Sequence, residues 1–176
     1  MKKLFDNSVV HSNTLLHFVI CLCVLSGCGD VYSSIMIKNN SNVPIVVRCG
    51  AFEVSNFLNY PDTTLPPSGP DFKSSHIIKG ERAIIVSHKI NVGNIFSIFA
   101  PNDILSIYVF DSDTLSTYTW EEIGSDYKVA VRYDLSRCDI NEKSSVAIIP
   151  FPPNQSMKHV HMYPSYSEVK LKYTSD

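Results

Sequence analysis

The sequence predicts an all-β fold: a single antiparallel β-sandwich, immunoglobulin-like or similar, with one or two short helical turns. Three observations carry that expectation. Short apolar runs alternate with clusters of Asn, Asp, Ser, Gly and Pro, which is the rhythm of strands and turns. About eight such runs follow one another at the short spacing typical of sandwiches. No long helical stretch and no internal repeat interrupts them.

Taken in order, residues 33–38 form the first strand, closed by Asn39-Asn40-Ser41-Asn42. Residues 43–52 form the second, with Ile45, Val47 and Cys49 on one face and Pro44 near its start, where a missing N–H is tolerated. These two runs read as a hairpin. Residues 56–73 include Tyr60-Pro61-Asp62-Thr63-Thr64-Leu65-Pro66-Pro67-Ser68-Gly69-Pro70, and so many prolines specify a loop. Its length is unusual for a compact domain and is compatible with either a solvated excursion or a functional loop.

Residues 75–78 and 82–88 are strands joined through Lys79-Gly80-Glu81, and residues 93–99 fit a helical turn or a strand equally. The run 104–110 is apolar on both faces apart from Ser106, so it belongs in the middle of a sheet. Thr119-Trp120-Glu121-Glu122 has the spacing of a capping box and opens a short helix ending at Gly124. In 128–135, Val129, Val131, Tyr133 and Leu135 alternate with Lys128, Ala130, Arg132 and Asp134, which predicts one buried and one mostly wet face. Ser136-Arg137-Cys138-Asp139 repeats the cap signature. Residues 144–149 make a strand stopped by Pro150, Pro152 and Pro153, residues 154–158 a helical turn, and residues 160–163 a last short strand. No domain boundary falls within 33–164. The tail, 165–176, alternates in Glu168-Val169-Lys170-Leu171-Lys172-Tyr173 and reads as a lysine-guarded edge strand or as disordered.

The N-terminus has a different character. Lys2 and Lys3 precede an apolar stretch at 14–24, broken only by His17. It is shorter than the ~20 residues that a spanning helix needs, so it reads as an export signal. Leu25-Ser26-Gly27-Cys28 then places small residues before a cysteine, the pattern of a lipid-attachment site. The expectation is a signal peptide at 1–27, lipidation on Cys28, a tether at 28–32 and an outer-membrane lipoprotein whose membrane partner is its own lipid. Two or three acyl chains make such an anchor stable, at ~0.8 kcal/mol per buried CH₂.

Cleavage leaves 149 of the 176 residues; with Lys2, Lys3 and Asp6 gone, the formal charge is −3. A basic stripe for nucleic acid is lacking, and so is a polybasic run for anionic headgroups. Cys49 and Cys138 stay in a compartment that permits a disulfide between them; the alternative is two small buried hydrophobes.

The block Asp113-Thr114-Leu115-Ser116-Thr117-Tyr118-Thr119-Trp120-Glu121-Glu122-Ile123, with Asp126-Tyr127-Lys128-Val129 and Val131-Arg132-Tyr133-Asp134-Leu135-Ser136, carries a resemblance. Asn39-Asn40-Ser41, Tyr60-Pro61-Asp62-Thr63-Thr64-Leu65, Met157-Lys158 and Met162-Tyr163-Pro164 extend it. Together they resemble a family of small uncharacterised lipoproteins from Bacteroidetes. The resemblance implies a Gram-negative envelope location and no catalytic activity. Surface-directed lipoproteins of that phylum carry an acidic run after the cysteine. Gly29-Asp30-Val31-Tyr32 offers a single acid, which leans toward a periplasm-facing domain. The resemblance further implies O-glycosylation at Asp-Ser/Thr motifs, here at Thr63 and Thr114.

Chemistry-bearing patterns are sparse. His159-Val160-His161 puts two imidazoles on one strand face, but zinc takes three or four ligands, so surface histidines are the better reading and no metal is expected. Asp111 and Asp113 flank Ser112, and Glu121 and Glu122 are adjacent, but nearness in sequence does not set the separation that acid–base pairs need. Gly-x-Ser-x-Gly, His-Glu-x-x-His and phosphate-cradling glycine loops do not occur, so neither an enzyme nor a cofactor is expected. The aromatics Trp120, Tyr118 and Tyr60, with Tyr127 and Tyr108, offer flat faces to a glycan or an envelope protein; the competing reading has Trp120 plugging one end of the sandwich. The function expected is a non-catalytic interaction or accessory module, with a carbohydrate-binding lipoprotein and an adhesive or structural subunit as alternatives.

Overall fold

Alternation and capping resolve into eight strands in two sheets, in a computed structural model that describes residues 32–49, 65, 74–89, 91–99, 104–141 and 144–174. The strands are β1 (Ser33–Asn39), β2 (Ile45–Cys49), β3 (Ser74–Ile77), β4 (Arg82–His88), β5 (Ile104–Asp111), β6 (Val131–Ser136), β7 (Val146–Phe151) and β8 (His161–Tyr163). One sheet has the order β4-β1-β7 and the other β3-β2-β5-β6-β8. The all-β, two-sheet expectation holds. All neighbours are antiparallel except β1 and β7, which pair in parallel from Ser34↔Val146 to Asn39↔Phe151.

The core lies between the sheets. Ile35, Ile37 and Ile149 from one sheet meet Ile45, Val47, Ile107, Val109, Val131, Tyr133 and Leu135 from the other, all buried. Tyr133 spans the two, donating from its hydroxyl to the Pro150 carbonyl at 3.1 Å. On β4, Ile35 pairs with Val86 and Met36 with Ile84, so Ile85 is the extra residue of a bulge. The bulge lets adjacent Ile85 and Val86 both turn toward the core, which strict alternation forbids.

The expected β1–β2 hairpin is in fact an arch, and the β3–β4 connection is an arch as well. β1 and β2 lie in different sheets, and so do β3 and β4. Alternation cannot distinguish the cases, because Ile35/Ile37 and Ile45/Val47 face the same core either way. Asn39 holds the two arches together. Buried at 0% exposure, it donates from Nδ2 to the carbonyls of Val43 (2.8 Å) and Ile77 (3.0 Å). Its Oδ1 accepts from the Ser41 N–H and hydroxyl. The Gly80 N–H, at φ 81, reaches the Asn39 carbonyl at 2.7 Å, and only glycine takes that φ without strain.

There is more helix than the one or two turns expected. The ambiguous segment after β4 is α1 (Val92–Phe99), opened by the Asn91 side chain accepting from the Asn94 N–H at 2.8 Å. Val92, Ile95 and Phe96 bury one stripe of it. Between β5 and β6 lie α2 (Ser112–Thr117) and α3 (Trp120–Ser125). The expected capping box is present, with Thr119 and Glu122 bonded reciprocally. The Ser136/Asp139 cap of the 3₁₀ turn Arg137–Asp139 is present too.

The tail is neither an edge strand nor disordered: it is α4 (Tyr166–Thr174), and it belongs to the domain. The Ser165 N–H and hydroxyl both donate to the Glu168 carboxylate. Tyr166, Val169 and Tyr173 share one face against the core, and Tyr173 stacks edge-on against Phe151 at 4.9 Å. Among the described residues, no helix is long and apolar enough to cross a membrane.

Candidate binding face

The outer face of the five-stranded sheet is built from the alternate side chains of β5 and β6. Ser106, Tyr108 and Phe110 point away from the inter-sheet core, as do Arg132 and Asp134, yet all are buried. A second apolar cluster explains this: Tyr108, Phe110, Ile123 and Val129, flanked by Leu65, Leu115, Trp120 and Tyr127. The connection carrying α2 and α3 folds back over the sheet and covers it. Arg132 and Asp134, expected on a wet face, are therefore buried, at 1% and 3% exposure.

Burial makes this polar pair demanding. Asp134 Oδ1 accepts from Arg132 Nε at 2.7 Å and from the Ser106 hydroxyl at 2.6 Å, while Arg132 Nη2 reaches Ser106 Oγ at 3.3 Å. Its other oxygen faces the Nδ1 of exposed His161 at 3.1 Å. Burial works to lower the Arg132 pKa, but the Tyr108 hydroxyl and the Asp134 carboxylate outweigh it, and the net shift is upward. The order of groups is wrong for a hydrolytic triad. Asp134 sits between Ser106 and His161, so no imidazole contacts the hydroxyl to take its proton.

Aromatic rings frame the network. Strand register sets a row across the face, Arg48↔Tyr108↔Arg132↔Tyr163. Tyr163 is 49% exposed and meets Tyr127 edge-on, with ring centroids 4.9 Å apart. Tyr127 has φ 48. It follows the C-cap of α3, where the Tyr127 N–H bonds to the Gly124 carbonyl and the Lys128 N–H to that of Ile123. That bonding pattern normally ends in glycine, so a bulky ring is held there at a cost of ~1–3 kcal/mol. Burial raises the Tyr127 pKa, against the opposing pull of Arg132. Its buried hydroxyl lies beside that guanidinium without a well-formed hydrogen bond.

Trp120 does not plug the end of the sandwich. It lies on the outer face, tilted against Phe110 at 5.6 Å, with the Arg48 guanidinium 4.4 Å above its ring. Tyr118, 42% exposed, has Lys128 Nζ 4.5 Å from its ring centre. Sequence reasoning thus found Trp120, Tyr127 and Tyr108, which the fold brings to one face, and Tyr118, which it sets against Lys128. It missed Arg48, Arg132, Asp134, Ser106 and Tyr163. The available signal was the strand 104–110, apolar on both faces: a strand covered on both sides implies cover over its neighbour, and hence over Arg132 and Asp134.

The remaining candidates scatter. Cys49 is buried in β2, whereas Cys138 is exposed on the turn after β6, and no disulfide joins them. β2 and β6 are two places apart in the sheet; at ~4.8 Å per strand that already exceeds the ~7 Å Cα limit for a bridge. His159 and His161 face separate carboxylates, Asp139 and Asp134. Among the described residues, no group of three potential metal ligands occurs. Thr114 is half-buried in α2. Cys28, Tyr60 and Thr63 lie outside the described residues. No protein family, curated protein or solved structure matches this chain.

Proposed function

We propose that this chain is a lipid-anchored protein of the bacterial cell envelope that acts by binding rather than catalysis, with an envelope glycan as its ligand. The address rests on Lys2, Lys3, the apolar stretch 14–24 and Leu25-Ser26-Gly27-Cys28. The lack of an acidic run after Cys28 favours the periplasmic side of the outer membrane. The observation that carries the binding role is the outer face of β5, β6 and β8, where Tyr163 presents a half-exposed ring beside the buried Arg132–Asp134–Ser106 network, with half-exposed Tyr118 on the α2–α3 connection that covers this face. Flat rings with polar groups fixed at their edges are what a sugar, apolar on its faces and polar at its rim, requires. Tyr127, strained and adjacent to Tyr163, fits the same role.

A glycan array probed with the detergent-extracted protein tests the binding role. Retention of a defined glycan class is expected, with Tyr163→Ala and Tyr118→Ala each weakening it about tenfold. Failure to retain any glycan would remove the reading. The anchor is tested separately: Cys28→Ser is expected to abolish incorporation of labelled fatty acid, and persistent label would show that Cys28 is not the attachment site. A glycan mass increment on peptides bearing Thr63 or Thr114 is part of the same proposal, and unmodified peptides at both would end it.

A further inference from the structure

Two arginines flank Tyr108 on the outer face, and their surroundings differ. Arg132 has an acid, Asp134, and a hydroxyl, Ser106, arranged about its guanidinium. Arg48, on the other side of Tyr108, has its guanidinium carbon over the Trp120 ring, 4.4 Å from the ring centre. Its Nε is buried and finds no hydrogen-bond partner. Burial lowers its pKa, and no carboxylate of the described residues pushes back. A half-buried guanidinium over indole keeps its charge, partly stripped of water, with its Nε donor unspent among the described residues. Such an arrangement costs stability unless something supplies the missing negative charge.

A guanidinium is a planar fork suited to two parallel bonds to an anionic pair of oxygens. Contact with the Trp120 ring restricts the guanidinium before any ligand arrives, which reduces the ordering cost of binding. Tyr118, two residues before Trp120, has a ring 42% exposed.

We propose that Arg48, held over the Trp120 ring, is the anion-recognition point of this face and takes the carboxylate of an acidic glycan, such as a uronic-acid-containing oligosaccharide. This assignment rests on the glycan reading above and narrows its ligand class. The ligand's carboxylate does for Arg48 what Asp134 does for Arg132.

Trp120 is the single tryptophan of the chain, so its fluorescence reports directly on Arg48. The full-length protein in detergent micelles is titrated with trigalacturonate, with its neutral methyl ester and with sodium sulfate. Trigalacturonate is expected to shift the emission saturably, with the ester at least tenfold weaker. Arg48→Lys, which keeps the charge but loses the fork, is expected to weaken the acid roughly ten- to a hundredfold. Arg48→Met is expected to erase the preference for acid over ester without lowering the melting temperature, because it removes an uncompensated buried charge. A fall in melting temperature with unchanged acid binding would assign Arg48 a purely structural role and overturn the proposal. Equal binding of acid and ester would overturn it while leaving a glycan-binding face in place. An Arg48-dependent response to sulfate with no response to either sugar would keep the anion site and remove the glycan as its carrier. Silence toward all three probes would remove both.

Discussion

Asn39 shows how one side chain can decide the connection between two sheets. It is fully buried, and its amide donates twice and accepts twice, so all its capacity is spent on the two arches. Asn39→Asp keeps the shape but turns two donors into acceptors facing the Val43 and Ile77 carbonyls. It is expected to cost about 2–4 kcal/mol in urea unfolding. Asn39→Ala is expected to fall at the lower end of that range. A loss under ~0.5 kcal/mol for both would mean that the arches do not depend on this residue. The Arg132–Asp134 pair makes a second residue-scale case. Either single change, Arg132→Met or Asp134→Leu, strands a buried charge and is expected to cost about 3–5 kcal/mol, whereas the double variant is expected to recover most of the loss. Additive losses in that cycle would show that the two groups act independently. Neither role was legible in the residues' own local pattern. Asn39 sits in a run that reads as an ordinary turn, and Arg132 and Asp134 occupy the polar half of a clean alternation.

At the level of elements, local chemistry was read well and partnering was not. Thr119 with Glu122, and Ser136 with Asp139, gave correct caps because a cap is decided within four residues. Ser165 and Glu168 have the same spacing and open α4. There the alternation of Glu168 to Tyr173 competed with the cap signal, and tertiary contacts decided for helix. Tyr173 donates its hydroxyl to the Asp111 carboxylate at 2.8 Å, which also explains why Asp111, the N-cap of α2, does not cap it with its side chain. Tyr173→Phe is expected to cost about 1 kcal/mol and to speed amide exchange across α4. Unchanged exchange there would mean that stacking on Phe151 alone holds the helix. The β1–β2 arch was mistaken for a hairpin because both arrangements bury the same faces; the difference lies in long-range pairing to β4, β7 and β5 that no local pattern encodes.

For the whole molecule, the fold class was legible because alternation and turn chemistry agree along almost the full domain, while the binding face was not, because it is assembled from β2, β5, β6, β8 and the α2–α3 connection. Two carboxylates tie global stability to pH. The backbone N–H and then the hydroxyl of Thr119 lower the Glu122 pKa, and the Ser165 hydroxyl and then its N–H lower that of Glu168. A lowered folded pKa means stabilisation that is present above the ordinary glutamate value of 4.5 and lost as pH falls through the folded pKa values. Urea midpoints are therefore expected to drop below about pH 4.5, and Thr119→Ala is expected to flatten part of that drop; an unchanged slope would show that the cap is not the source. At high pH the sign reverses. Burial raises the pKa of Tyr133, and burial followed by the Asp111 carboxylate raises that of Tyr173. Both stabilise the fold below pH 10 and cease to do so as pH climbs beyond it.

The binding face is the central claim, and hydrogen–deuterium exchange of the detergent-extracted protein, with and without a polysaccharide fraction from its own envelope, tests it most directly. Protection is expected at the amides of α3, Tyr127 and β8, with β4 and β7 unchanged. Protection confined to the three-stranded sheet, or none anywhere, would contradict it.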